Sequence, residues 1–211
     1  MKQIKILSLG DDSLRVALSY LPKIAKIDSV GVVSGILYPE NVTAHSFLQK
    51  IKNDSREFTF VYNKEGSVRF NTVEDFSAAK AFDWFDWNFV IIPDYECADE
   101  ICAFVRDRSP KTKIIINKTV TEDNKNVSEC CNADAVFSVT EILNDVKNEI
   151  SKQGFVADMN SCRIKDFLSA CILYETITGN NVAVNKYRLP FVESEITEVI
   201  KTVVHRNCTK V

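Results

Sequence analysis

The chain has 211 residues, is 45% hydrophobic and 26% charged, and carries a formal net charge of -3 that is spread along its length. No block of like charge attracts a phosphate backbone, which argues against nucleic acid and anionic membrane as partners. No apolar run approaches the ~20 residues of a membrane span, and Met1-Lys2-Gln3 leads straight into a strand rather than a secretory signal, so a cytoplasmic protein is expected.

Taken in order, Ile4 to Leu9 is a continuous apolar strand, and Asp12 or Ser13 is placed to cap a helix carrying Leu14, Ala17, Leu18 and Leu21, with Pro22 in its last turn. Ser29 to Val33 is a second strand, ended by a turn at Ser34-Gly35. Asn41 caps a helix with Val42, Phe47, Leu48 and Ile51. Phe58 to Tyr62 is a third strand, and a turn at Lys64-Glu65-Gly66 leads to a short strand at Val68 to Phe70 that pairs with it as a hairpin. Thr72 caps a helix to Trp84. Asn88 to Ile92 is the most apolar strand and ends at Pro93-Asp94-Tyr95.

A helix from Ala98 to Arg108 follows, stopped by Ser109-Pro110, and then a strand from Lys113 to Ile116 that ends in Asn117-Lys118-Thr119. A helix near Asn126 to Cys131, a strand from Ala135 to Ser138 and a helix from Thr140 to Lys152 complete an alternating series. Parallel strands need crossover connections and helices supply them, so the fold class is α/β: a Rossmann-like, doubly wound, mostly parallel sheet. The character changes at Gly154. Cys162 to Thr178 is an amphipathic helix stopped by Gly179, Val182 to Leu189 alternates like a strand, and Ser194 caps a last helix. The organisation is therefore an α/β domain over 1–153 and a helix-strand-helix appendage over 154–211, which serves as a lid, packs on the domain or dimerises.

Seven cysteines without regular spacing, and no Cys-x-x-Cys pair, point to reduced and mostly buried thiols rather than a zinc site; the adjacent Cys130-Cys131 reads as structural. Two histidines, His45 and His205, are too few for a histidine-based triad or metal cluster. Trp84, Phe85 and Trp87 cluster around the start of a strand and read as core or interface.

No complete catalytic motif occurs, which leaves enzymatic activity open and the cofactor unidentified. The candidate ligand-binding residues follow from topology, because ligands of parallel sheets bind at the carboxyl ends of the strands. They are Gly10, Asp11, Asp12 and Ser13 after the first strand, Asp94 after the central one, and Asn117, Lys118 and Thr119 after the next, with Thr121 nearby. The plainer account of Asp11, Asp12 and Ser13 is helix capping and favourable first-turn charge; Asp94 is equally able to cap a helix, and Lys118 to be a solvated loop lysine.

Two resemblances bear on function. Phe89-Val90-Ile91-Ile92-Pro93-Asp94 resembles the strand that ends in the phospho-acceptor aspartate of response-regulator receivers, and Arg106 to Ile116 and Ala133 to Phe137 resemble the passages after it. That likeness implies a signalling receiver, with Asp94 as acceptor and Asp11 and Asp12 as the magnesium-holding pair. Val139 stands where receivers carry a lysine, and the stretch between the second strand and Asn88 is longer than theirs. More evenly, residues 3 to 150 resemble Rossmann-like domains of potassium-channel nucleotide-binding regulators and of surface-polysaccharide acetyltransferases and methyltransferases, through the order of elements, the helix start at Asn71 to Phe76 and the passage Asp86 to Ile92. This implies a regulatory, interaction or small-molecule-binding module, or part of a transferase, with a small molecule, a protein or a second copy as partner. Classical NAD or FAD binding is not expected. A dinucleotide loop uses three glycines, whereas Gly10 stands alone and Asp11-Asp12 repel phosphate.

Overall fold

The computed structural model describes residues 2–10, 12–39, 43–64, 67–94, 96–118, 132–159 and 161–209. Its strands are β1 (Lys2–Leu9), β2 (Val30–Pro39), β3 (Phe58–Asn63), β4 (Phe70–Phe76), β5 (Phe89–Pro93), β6 (Lys113–Lys118) and β7 (Ala135–Ser138). The helices are α1 (Arg15–Ile27), α2 (Ala44–Lys52), α3 (Ala78–Trp84), α4 (Ala98–Arg108), α5 (Val139–Lys152), α6 (Cys162–Thr178) and α7 (Ser194–Cys208). The strands form one seven-stranded sheet in the order β4-β3-β2-β1-β5-β6-β7. β2, β1, β5, β6 and β7 run parallel, while β3 is antiparallel to both of its neighbours.

Helices cover both faces. One face packs Ile4, Ile6, Ile36, Ile91 and Ile115 against α1, α5 and α6; the other packs Leu7, Leu9, Val90, Ile92 and Ile114 against α2, α3 and α4. These strands are apolar on both sides because both sides are covered, which is why they read as unbroken apolar runs.

Several boundaries differ from those expected of the sequence. β2 runs straight through Ser34-Gly35 to Pro39. A Cβ on Gly35 would lie 2.8 Å from the Trp87 ring and 2.9 Å from the Phe60 ring, so this glycine serves close packing rather than a turn. Thr72 does not cap a helix. It lies inside β4, whose pairing with β3 shifts between Phe58 and Phe60, with Asp75 at φ 52°; Ser77 then caps α3 by accepting from the Lys80 amide. Pro22 is in the interior of α1, not its last turn. Thr43 caps α2. Asn41, the turn at Glu65-Gly66 and the stretch from Asn126 to Cys131 lie outside the described residues.

Residues 182 to 189 are not a strand. Val182–Val184 is a single 3-10 turn, and side chains rather than a ladder hold the segment. The Glu175 carboxylate accepts from the Val182 amide at 3.0 Å, the Asn181 side chain accepts from the Ala183 amide, and the Asn185 amide group donates to the Ile24 carbonyl at 3.1 Å. α6 lies against α1, with Phe167, Leu168, Cys171, Ile172 and Tyr174 wholly buried, and α7 packs on α5 and α6. Residues 162 to 208 thus close one face of the sheet and share its core.

The seam between α1, α6 and α7 also buries polar groups; its charged ones each have a partner, while the Tyr187 hydroxyl has none among the described residues. The Tyr174 hydroxyl donates to the Asp28 carboxylate, to which the Asn185 side chain also donates at 2.8 Å. Lys201, 2% exposed, donates to the Asn185 carbonyl at 2.6 Å and pairs with Glu198 at 2.8 Å. Glu175, 8% exposed, meets Nδ1 of His205 at 2.6 Å.

Candidate functional site

The two helical connections that flank the sheet's centre diverge. α1 leaves β1 across one face toward β2, and α4 leaves β5 across the other toward β6. The point between them, outside the carboxyl ends of β1 and β5, is where ligands enter sheets of this kind. The register levels the strand ends. Ser8 is opposite Ile91, and Pro93 is opposite Asn117, so Gly10, Asp94, Asn117 and Lys118 come to one rim.

Gly10 continues the ladder by donating to the Leu37 carbonyl at 3.0 Å, with φ of 105°, a conformation suited to glycine. The chain then turns, the Asp12 carbonyl accepting from the Arg15 amide at 2.9 Å. Asp12 and Ser13 are exposed, and the cap position of α1 falls on buried Leu14, whose side chain accepts nothing; neither residue therefore occupies the cap position expected for it. Asp11, Tyr95, Thr119 and Thr121 lie outside the described residues.

Asp94 is the least ordinary group on this rim. Its amide donates to the Asn117 carbonyl at 3.1 Å, carrying the β5–β6 ladder one residue past the strand. Burial pushes its carboxyl above the usual carboxylate range, against the lowering effect of the Lys118 charge. Its Oδ1 is buried and has no hydrogen-bond partner among the described residues. A buried oxygen left without a donor is costly, and native structures seldom keep one without a reason.

Lys118 lies between two acids, Asp94 on one side and Glu141 at 3.9 Å on the other. The rim charge is thus negative on balance, and a phosphate there meets repulsion. Glu141 is positioned by the Ser138 hydroxyl, which caps α5 by accepting from the Glu141 amide at 3.3 Å. Sequence reasoning had passed over Glu141. The signal was present in Ser138-Val139-Thr140-Glu141, a capping-box spacing directly after a strand, which puts a carboxylate at the carboxyl edge.

Beyond Glu141 the rim opens into a cavity of about 590 Å³ along β7, lined among others by Phe137, Asp145, Ile172, Glu175 and Cys208. Asn207 donates to Asp145 at 3.1 Å, and His205 engages Glu175, so two of these acids are already held. Burial and the nearby Glu175 charge push the Cys208 thiol up to about 11, so it stays protonated at neutral pH and is no nucleophile. Among the described residues no three His, Cys, Asp or Glu side chains are arranged to hold a metal ion. His45 is exposed on α2, and His205 bonds Glu175 rather than any hydroxyl or thiol.

The aromatic cluster sits elsewhere. Trp84 packs edge-on to Phe60 and Phe76, and the Trp87 indole donates to the Ala81 carbonyl at 2.8 Å, both as packing groups. Of the cysteines, Cys97, Cys102 and Cys171 are buried and none of the described ones forms a disulfide, while Cys130 and Cys131 lie outside the described residues. No helix among the described residues is long and apolar enough to cross a membrane.

No family model matches this chain, and no curated protein matches it. Among solved structures it is similar to the crystal structure of a DUF4886 family protein from Bacteroides uniformis ATCC 8492, with a TM-score of 0.82 and 13% identity over 99% of this chain and 95% of that one. Likeness at that identity extends to the fold.

Proposed function

We propose that this protein is a Rossmann-like module that binds a small, hydroxyl- or amino-bearing molecule at the carboxyl rim of its sheet, and that it regulates or recruits rather than catalyses by itself. The observation that carries this is the buried Oδ1 of Asp94, which has no hydrogen-bond partner among the described residues, at the point where the helical connections diverge. A ligand N–H or O–H would supply the missing donor. Lys118 and Asn117 flank that position, and Gly10 lets the backbone approach it without a side chain in the way.

The charge pattern selects among ligands. One lysine between Asp94 and Glu141 leaves an acidic rim, which disfavours nucleotides and favours neutral polyols or amines. The absence of a second and third glycine after β1 points the same way. The test is amide NMR of the labelled protein titrated with monosaccharides and small amines, up to about 20 mM each, an upper limit for weak single-site binding. Saturable shifts at Gly10, Asp94, Asn117 and Lys118 that vanish in Asp94→Asn are expected. Shifts confined to other surfaces, or no saturable shift with any probe, would discard the reading.

A further inference from the structure

At the far ends of α6 and α7 from the rim, the chain turns through Leu189-Pro190-Phe191-Val192, and Phe191 there has φ of 64°. The position after a proline in a tight turn accepts a left-handed φ readily as glycine or asparagine and unfavourably as a large aromatic. The other non-glycine residues with positive φ among those described are Ser29, Asp54 and Asp75, all small and polar. Nor does the ring find burial in return. It is 94% exposed, with the Arg163 guanidinium over it at 5.4 Å. Val156, 92% exposed, lines with it a hollow of about 480 Å³ whose lining also includes buried Ile164 and Ile196. A strained backbone that holds two apolar side chains in water weakens the single chain, so folding alone does not account for it.

We propose that this surface is a contact between two copies of the chain, related by a two-fold axis, in which the Phe191 ring of each seats in the hollow of the other. The patch carries an exposed ring and an apolar-floored hollow together, so one two-fold rotation can engage both at once. The hollow's lining also carries both signs of charge, Arg163 with Asp158 and Glu193, all exposed. A two-fold contact places the arginine of one copy against an acid of the other, whereas a surface made for anionic lipid or nucleic acid is basic throughout. An aromatic ring and an arginine are among the residue types enriched in protein interfaces. α5 begins at the rim and ends near this patch, so the contact leaves the Asp94 site open in both copies.

Sedimentation analysis of the full chain tests this over loading concentrations from about 1 µM to about 500 µM, the range in which a contact of modest area dissociates. A rise toward twice the 23.9 kDa chain mass is expected. Phe191→Gly should remain monomeric throughout and melt at a higher temperature than the wild-type monomer, since glycine takes this φ without strain; Phe191→Asn should do the same. Arg163→Glu and Glu193→Arg should each weaken association about tenfold, and their combination should restore it. Three results would overturn the proposal: a wild-type chain that is monomeric at the highest concentration, a dimer that survives Phe191→Gly, or charge reversals that leave association unchanged.

Discussion

The seam between α1, α6 and α7 and the carboxyl rim of the sheet both bury charged groups, and they treat them in opposite ways. In the seam, Glu175 spends each carboxylate oxygen on a named donor, the His205 ring and the Val182 amide, and Lys201 is held by a carbonyl and a carboxylate. At the rim, Asp94 keeps a buried oxygen with no donor among the described residues. A fully partnered buried charge is what a fold needs to remain closed. A half-partnered one is a standing cost to the fold, and such costs concentrate where a protein meets its ligands.

The comparison predicts opposite signs for two substitutions. Glu175→Ala leaves the buried Val182 amide without an acceptor and His205 without its partner. Stability should fall by about 3 kcal/mol, read from urea midpoints at unchanged m-value. A loss no larger than that of an ordinary surface substitution would mean the seam charges are not structural.

Asp94→Asn should instead stabilise the chain near neutral pH, because an amide avoids desolvating a charge. The pH dependence sharpens this. Burial raises the Asp94 pKa above its unfolded value, so the wild-type residue favours folding while protonated and loses that contribution as pH rises through the raised value. The advantage of Asp94→Asn should therefore be full above that value and shrink as the pH falls toward the ordinary carboxylate range. Chemical melts of both proteins across that range read it directly, and a gain that persists in acid would remove burial of the Asp94 charge as its cause.

The last two expectations concern what an acidic rim refuses. Calorimetry with NAD in magnesium-free buffer should show no micromolar binding, because a single Gly10 and the acids around Lys118 do not cradle a pyrophosphate. Acetyl phosphate with magnesium should leave the intact mass unchanged. Transfer to an aspartate needs a cation to offset the incoming charge and a lysine to hold the phosphoryl group, and Lys118 is already shared with Glu141. A phosphate adduct lost in Asp94→Ala would make this chain a signalling receiver.

By itself the sequence determined the α/β class, the extent of α6 with its stop at Gly179, and the strand ends at which Asp94, Asn117 and Lys118 meet. These are local matters: apolar runs of strand length, helical periodicity, and a glycine whose φ of 70° suits a helix end. Tertiary structure decided the rest. Gly35 reads as a turn until Trp87 and Phe60 are seen pressing on it, and Thr72 reads as a helix cap until β3 claims it as a strand partner. The hairpin expected after Phe58 to Tyr62 made β3 antiparallel to β4, but β4 runs from Phe70 to Phe76 rather than from Val68 to Phe70. The antiparallel pairing of β3 with β2 was invisible because direction is set by which neighbour a strand pairs with, not by its own residues. The same holds for the charges. Nothing in the letters of Glu175 and Asp94 separates them, and only the groups that the fold brings within hydrogen-bond reach make one a structural partner and leave the other with an oxygen to offer.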